Sequence, residues 1–372
     1  MVSNPMTRAN IIDQINNIIG STLTTTWTDA KINQLIDNAL SEVSEAVPYV
    51  MVDIYQLETR RGLATSTSSD NLVDTANAHF VSAAADVGKV VYNTTDKTWA
   101  VITSFSTTSQ VGLSVDIMAS GESYEIYNKG CWNNKQINIE DSGDFLWVLG
   151  AVYPVNPNWM FSSSTENMRN VKLLSQNKIA EIDTWYVENT KDTDANKDVY
   201  LYLARQHHLD VMTLLITGAT TAAYAAGVKL INIDGMDTTG TCFKNSLFYF
   251  TLIDTVATDS RLVYRVTEDT TFVAGAKDVK FFPALECGVS NNDTVTFISS
   301  TLTPDLERIL IDLVTGQVLM GEGISQINAI SKGGQAVATR SFEMGRAILE
   351  KARNQLKALI DVDLRANKVL AR

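Results

Sequence analysis

The sequence predicts an α+β fold in which a helical bundle, made from the N- and C-terminal helices, carries inserted modules of β-barrel or β-sandwich type. Apolar residues recur at spacings of three and four near both ends of the chain, whereas β-branched and aromatic runs separated by turn residues fill its middle. Because an amphipathic helix has to bury its apolar stripe, the helices of the two ends are expected to pack on each other as one bundle.

Two amphipathic helices are predicted at the N-terminal end. The first covers residues 7–19, where five isoleucines recur at helical spacing, and Gly20 ends it. The second starts at residues 27–29, with Asp29 at the positive end of the helix dipole, and Pro48 stops it. The apolar stripe of the second helix consists of Ile32, Leu35, Ile36, Ala39, Leu40, Val43 and Val47.

The middle of the chain predicts strands. Residues 63–129 combine Thr, Ser and Gly with short β-branched runs, and residues 218–300 form a second block of similar rhythm without a convincing repeat of residues. Between them, residues 188–196 predict a polar hairpin tip. The predicted strands are 89–92, 98–102, 112–115, 124–127, 136–139, 171–174, 180–186, 199–203, 228–233, 247–252, 262–267, 279–282 and 294–298.

Helix returns at the C-terminal end. Thr303 is a predicted N-cap, Pro304 takes the first helical position, and Asp305 lies in the first turn. A glycine-rich break is expected at residues 321–334, before a last helix of about six turns with one apolar and one basic face. The two apolar stripes consist of Leu306, Ile309, Leu310, Leu313, Val314 and Val318, and of Ala338, Phe342, Gly345, Leu349, Ala352, Leu356 and Leu359.

The length of the chain predicts several domains. Its 372 residues exceed the ~250 to 300 residues at which single cores stop growing. Five segments are expected: a helical core part at 1–62, an inserted β module at 63–129, a β-rich body at 130–217, a second inserted β module at 218–300, and the remaining helical core part at 301–372.

The charge of the chain is negative and unevenly distributed. The formal net charge of −12 argues against binding of nucleic acid by phosphate neutralisation, although an acidic lining would let DNA pass without sticking. Residues 340–372 hold eight Lys and Arg against four acids, which leaves 22 basic against 38 acidic residues elsewhere. The C-terminal end is therefore basic and the rest of the chain acidic.

Neither membrane insertion nor export is predicted. No run approaches the ~20 apolar residues of a membrane helix, and the first residues lack the charged and apolar regions of a signal peptide. Cys131, Cys242 and Cys287 are far apart and have no histidines at metal-ligand spacing, so buried reduced thiols are expected. The chain is predicted to be made in the cytosol and not exported.

No catalytic constellation is evident, so we predict a protein that is not an enzyme and has no cofactor or metal. His207 and His208 are adjacent on a predicted strand and would point to opposite faces. The glycines near 321–323 and 333–334 lack the lysine of a phosphate loop, no G-x-S-x-G occurs, and Asp141 and Asp144 lie in a turn-like run.

Six aromatic residues among the predicted strands leave two interpretations open. They fit either a sugar-binding platform or aromatic packing in the core, the interpretation favoured here. These residues are Trp132, Trp147, Tyr153, Trp159, Trp185 and Tyr186.

Several segments resemble the head-to-tail adaptor (connector) proteins of tailed bacteriophages. Residues 27–44, WTDAKINQLIDNALSEVS, look like the start of the short helical bundle of that family. Segments 86–96, 198–208 and 299–307 resemble large adaptors that carry β insertions. Residues 262–269 and 282–285 are similar to a β module of phage structural proteins.

The resemblance implies a virion structural protein of the phage neck. Such adaptors form a ring, usually twelvefold, that docks on the portal protein, joins it to a downstream tail, stopper or nozzle protein, and lets genomic DNA pass through a central channel without sequence-specific binding. An alternative is a carbohydrate-binding, host-recognition or decoration protein of the particle surface. The residues expected to pack the ring and bundle are Ile32, Leu35, Ile36, Leu40, Val43, Leu306, Ile309, Leu310, Leu313, Phe342, Leu349 and Leu356.

In this family the C-terminal segment commonly reaches into the portal. A basic end that extends from an acidic body suits docking into a neighbouring acidic surface, and complementary charge raises specificity and encounter rate. The alternative is a solvated helix end. The expected docking segment consists of Asp361, Val362, Asp363, Leu364, Arg365, Ala366, Asn367, Lys368, Val369, Leu370, Ala371 and Arg372.

Overall fold

The structure is a computed structural model that describes most of the chain. It covers residues 7–19, 27–154, 168–176, 178–184, 198–209, 217–235, 239–242, 244–251, 263–273, 276–285, 287–298, 300–329 and 335–370. Only the backbone is described at 239–241, 251, 272–273, 325–329, 335–338 and 361–370. The predicted hairpin tip at 188–196 lies outside the described residues.

The predicted fold class is wrong, because the chain is mostly β. Strands make up 36% of the structure and helices 29%, and the strands form several sheets that include a closed six-stranded barrel. The helical periodicity predicted the apolar stripes correctly, but the helices form a smaller part of the fold than predicted. The β regions contain three apolar cores besides that of the helices: one in the barrel, one in the six-stranded sheet, and one shared by the four-stranded and three-stranded sheets. They are therefore not decoration on a helical bundle.

The described residues contain five α-helices, and the predicted helix starts are confirmed. Thr28 has the extended backbone of an N-cap before the second helix, and Pro304 opens the fourth. The helices are α1 (Arg8–Ile19), α2 (Asp29–Ala46), α3 (Ala83–Asp86), α4 (Pro304–Ala329) and α5 (Gln335–Leu370).

The strands are more numerous than the predicted ones. Their bounds are β1 (Tyr49–Gln56), β2 (Arg61–Leu63), β3 (Asn71–Val73), β4 (Val90–Asn93), β5 (Thr98–Thr107), β6 (Gln110–Leu113), β7 (Ser123–Tyr127), β8 (Gln136–Asn138), β9 (Trp147–Val152), β10 (Met168–Arg169), β11 (Val171–Leu174), β12 (Ile179–Ile182), β13 (Asp198–Arg205), β14 (Thr217–Thr220), β15 (Leu230–Asp234), β16 (Thr239–Cys242), β17 (Leu247–Thr251), β18 (Tyr264–Val266), β19 (Thr270–Val273), β20 (Lys277–Phe282) and β21 (Thr294–Ile298). β1 lies in the segment that was predicted to be helical core, directly after the Pro48 that ends α2.

The expected glycine-rich break at 321–334 is wrong over its first part. α4 continues through Gly321 and Gly323 to Ala329. A Cβ atom at Gly321 would come within 2.7 Å of Trp27 Cζ2, so this glycine makes room for an aromatic ring from another segment. The tertiary contact outweighs the low helix propensity of glycine.

Contacts divide the chain into two compact units. The first unit contains residues 1–51 and 204–372, and the second contains residues 52–203. The first unit holds α1, α2, α4 and α5, which share one apolar core, and a closed antiparallel barrel with the strand order β14-β15-β20-β18-β17-β21. The core of the barrel contains stacked and edge-on aromatic rings around Phe248. The division of the chain into five segments stays a prediction.

The second unit is built from sheets. A six-stranded sheet has the order β2-β7-β4-β5-β6-β3, and a three-stranded sheet has the order β11-β12-β8. A four-stranded sheet, β1-β13-β9-β10, buries alternate residues of β13 such as Val199, Leu201 and Leu203. The alternation in β13 is the period of two that the sequence predicted.

The six-stranded sheet of the second unit and the closed barrel of the first have the same topology. We call β2–β7 (Arg61–Tyr127) the first β module and the six barrel strands within Thr217–Ile298 the second β module. The edge strands of the first β module are β2 and β3, and an isolated bridge joins Ser66, which follows β2, to Val73 of β3. Numbered along each module, the strands of both then follow the cyclic order one, two, five, four, three, six, with antiparallel pairing throughout.

Local geometry repeats between the two β modules as well. Ala64 exchanges backbone hydrogen bonds with residues 121 and 122, as Thr220 does with residues 292 and 293. Gly88 and Asn245, which precede the third strand of each module, both have positive φ, at 92° and 74°. The similarity in rhythm of the two sequence blocks thus reflects one shared fold, although the side chains differ.

Membrane-spanning helices were also sought. Within the described part of the chain, no helix is both long and apolar enough to cross a bilayer.

Candidate functional site

The helical core brings together most of the residues expected to pack the ring and bundle. Leu35 is half-buried against this core, whereas Phe342 on α5 is half-buried and does not belong to it. The members of the core from the predicted set are Ile32, Ile36, Leu40, Val43, Leu306, Ile309, Leu310, Leu313, Leu349 and Leu356. The structure shows their packing within one chain, so a role between neighbouring copies stays a prediction.

α4 and α5 approach each other closely at two glycines. A Cβ at Gly345 would lie 2.7 Å from the carbonyl oxygen of Gly316, and a Cβ at Gly316 would lie 2.6 Å from Leu349 Cγ. The backbones can therefore touch only because both positions lack a side chain. In the sequence Gly345 was recognised as part of the apolar stripe, but the partner glycine was not.

The outer side of α5 carries charge. Arg353 Nε donates to Glu42 Oε1 at 2.8 Å, which raises the pKa of the Arg353 guanidinium, and Lys351 Nζ lies 3.4 Å from Asp312 Oδ2. These two pairs attach the helix to α2 and α4 at its surface. The other exposed basic residues of the described side chains on α5 are Arg340, Arg346 and Lys357.

The predicted docking segment continues this helix. The backbone of residues 361–370 is the last part of α5, while the side chains of these residues and all of residues 371–372 lie outside the described structure. Docking by residues 361–372 therefore stays a prediction.

The two adjacent histidines, His207 and His208, pack against other segments of the fold. They follow β13 and do not lie within it, contrary to the prediction, and His207 uses both ring nitrogens. His207 Nε2 donates to the carbonyl of Val47 at 2.8 Å, so Nδ1 accepts from the hydroxyl of Thr301 at 3.0 Å. Burial lowers the pKa of His207, and burial together with the charge of Arg8 lowers the pKa of His208 to about 4.

The other residues considered for metal binding or catalysis do not form a site among the described residues. Among the described residues no group of three His, Cys, Asp or Glu side chains could hold a metal ion. Asp141 lies in a short 3-10 turn and Asp144 follows it. Cys131 is a free, buried thiol whose pKa burial raises to about 12, which makes it unreactive. The thiol of Cys242 is buried, and that of Cys287 is half-buried.

The six aromatic residues of the predicted sugar platform are only partly described. Trp132 and Trp147 are exposed by 47% and 39%, and Tyr153 is buried. Trp159, Trp185 and Tyr186 lie outside the described residues. Of the three members that the structure describes, only the two tryptophans have exposed rings.

A different aromatic row crosses the first β module. Tyr92 on β4 and Trp99 on β5 stack with ring centroids 4.2 Å apart and planes at 29°, and Tyr127 on β7 lies 6.1 Å from Tyr92. Tyr127 is 5% exposed, whereas Trp99 is 44% exposed. This aromatic row was not predicted from the sequence, because Tyr127 joins Tyr92 and Trp99 only through strand pairing across 35 residues.

A buried ionic network also lies in the first β module and its flank. Arg60 donates to Glu58 at 2.8 Å and to Asp86 at 2.6 Å, and Lys89 contacts Glu58. Burial alone would raise the pKa of the Glu58 carboxyl, but Arg60 and Lys89 hold it well below its ordinary value. Because each charge has a partner, the network fixes the local structure and leaves no free group for catalysis at that place.

Comparisons with known proteins do not assign this chain to a family. No model of a known protein family matches it, and no curated protein matches it either.

Proposed function

We propose that the chain is a structural, non-enzymatic subunit of a tailed-bacteriophage particle: a ring-forming head-to-tail adaptor that joins the portal to the tail around the DNA channel. The observation that carries the proposal is α5. This helix of 36 residues packs Leu349, Ala352 and Leu356 into the helical core and presents exposed cations on its outer side. A long, basic helix of this kind at the chain end suits docking into a partner.

Charge complementarity supports docking into an acidic neighbour. The cations of α5 differ in sign from the chain as a whole, whose net charge is −12. Arg353 and Lys351 attach the helix to its own chain, while Arg340, Arg346 and Lys357 remain exposed. An acidic body is also compatible with a channel through which DNA slides without binding.

The chemistry of the described residues favours a structural role. The clustered ionisable groups, Glu58 with Arg60 and Asp86, and His207 with Thr301, are engaged in hydrogen bonds that hold segments of the fold together. Buried groups that are paired in this way serve stability or specificity of the fold.

The decisive test mixes the chain with the portal protein of the same particle and images the complex by electron microscopy. We expect a ring with a central hole that is coaxial with the portal. A chain without residues 361–372 should keep its circular dichroism and melting temperature but lose portal binding.

A matched charge variant, Arg365→Gln with Lys368→Gln and Arg372→Gln, should bind the portal more slowly and with weaker dependence on salt. Undiminished binding by the shortened chain would remove docking by this segment. If the images show only separate molecules of the chain and no ring, the proposed adaptor function is wrong.

A further inference from the structure

The aromatic row of Tyr92, Trp99 and Tyr127 is not required by the architecture of the first β module. The core of that module lies on the other face of the strands, where Val91 and Ala100 are buried. The row therefore contributes little to closing the module, although its inner end, Tyr127, packs against Ile179.

The second β module provides an internal comparison. Tyr92 pairs with Glu125 in the first module, as Tyr249 pairs with Thr296 in the second. Val90 pairs with Tyr127, as Leu247 pairs with Ile298. The same fold thus forms with isoleucine in place of Tyr127 and threonine in place of Glu125, so the aromatic row is a special feature of the first module.

The exposed end of the row is a rigid platform. Tyr92 covers one face of the Trp99 indole, and Val101, 41% exposed, follows two residues later on the same side of β5. A tryptophan held in this way loses little conformational entropy when a ligand covers its free face.

Polar groups border the platform. Lys97 Nζ lies 5.9 Å from the centre of the Tyr92 ring, and Glu125 accepts a hydrogen bond of 2.7 Å from the Tyr127 hydroxyl. Asp96, in the turn before β5, is hydrogen-bonded to Glu122. Arg61, exposed on β2, pairs with Glu125 across the strands, so the cations Lys97 and Arg61 are matched by the carboxylates of Glu125 and Asp96. A surface without excess positive charge disfavours a phosphate backbone, whereas carboxylates and an ammonium group suit the hydroxyl groups of a sugar.

We propose that this platform binds a neutral saccharide, with the apolar face of one sugar ring stacked on Trp99 and its hydroxyl groups directed to Glu125 and Lys97. The pairing of an indole face with a carboxylate rim matches a pyranose, which has C–H groups on one face and hydroxyls at its edge. The proposal concerns the first β module and does not depend on the adaptor function.

The test applies the full-length chain to an array of neutral and N-acetylated oligosaccharides and titrates the strongest ligand by calorimetry. We expect Trp99→Ala to weaken binding about tenfold or more, because it removes the aromatic contact. Tyr249→Ala, at the position of the second module that corresponds to Tyr92, removes an exposed aromatic ring outside the platform; this control should bind like the unchanged chain. Both variants should keep the original melting temperature.

A second measurement is independent of folding of the variants. In the unchanged chain the indole N–H resonance of Trp99 should shift during the titration, and the resonances of the other tryptophans should shift less. Absence of binding to every oligosaccharide at millimolar concentration, or equal binding by Trp99→Ala, would overturn the proposal. Loss of self-association in Trp99→Ala without any sugar binding would also overturn it and assign the surface to contacts between copies.

Discussion

Individual buried ionisable residues determine how the structure responds to pH. His208 is buried near Arg8, and its pKa falls from 6.5 to about 4. Its Nε2 has no hydrogen-bond partner among the described residues. The folded state therefore holds His208 neutral, and the unfolded chain binds more protons as the pH falls below the ordinary value.

His208→Phe should make the fold less sensitive to acid. Above pH 6.5 His208 is neutral in both the folded and the unfolded chain, so its lowered pKa does not change the free energy of unfolding. Between pH 6.5 and about 4 the free energy of unfolding falls, by about 3 kcal/mol at most. Urea unfolding at several pH values should show a shallower decline in the variant. Some decline should remain, because burial also lowers the pKa of His79 and His207. Identical pH profiles would show that His208 is not one of the responsible groups.

The ionic network of Arg60 gives a second prediction for a single residue. Arg60→Leu leaves Asp86 buried without a cation and Glu58 with Lys89 alone, so it should lower the free energy of unfolding by about 3 to 5 kcal/mol. The matched control is Lys178→Leu, since Lys178 and its partner Glu140 are 57% and 51% exposed; that change should cost less than about 1 kcal/mol. Equal effects of the two substitutions in urea unfolding would contradict the structural importance of the network.

At the scale of elements, the crossing of α4 and α5 is determined by backbone contact. Gly345→Ala should destabilise the chain by about 1 to 3 kcal/mol through overpacking, even though alanine favours helix by about 1 kcal/mol. The reason is that the new Cβ would meet the Gly316 oxygen at 2.7 Å and the Met320 nitrogen at 2.8 Å. Asn354→Ala, at an exposed position of the same helix, should be neutral or slightly stabilising. A stabilising effect of Gly345→Ala in thermal unfolding would show that the helices are not in contact there.

The elements also show how far the sequence could lead. α2 and the start of α4 were predictable, because their 3.6-residue pattern and first-turn residues are local. The length of α4 was not, since the ring of Trp27 packs beside Gly321 from a segment far away in the sequence and no local signal reveals this contact. The fold class was wrong because barrel closure depends on pairs distant in sequence, such as β14 with β21. Separation in sequence also explains why the aromatic row and the contact of Arg60 with Asp86 were not predicted.

At the scale of the whole molecule, the two compact units make a prediction about folding. The second unit is contiguous in sequence, whereas the first is assembled from both ends of the chain. A fragment from Tyr49 to Arg205 keeps β1 and β13 whole and contains the cores of the three sheets of this unit. It should fold alone, because each of these cores is formed by residues of the fragment itself.

We therefore expect this fragment to show strand-type circular dichroism and a cooperative melting transition. Arg60→Leu should lower the melting temperature of the fragment as it does that of the full chain, whereas Gly345→Ala, which lies outside the fragment, should affect only the full chain. In the full chain the effects of these two substitutions on stability should add, since they lie in different units. A fragment that stays unfolded under conditions in which the full chain is folded would show that the second unit requires the terminal helices or the barrel to fold.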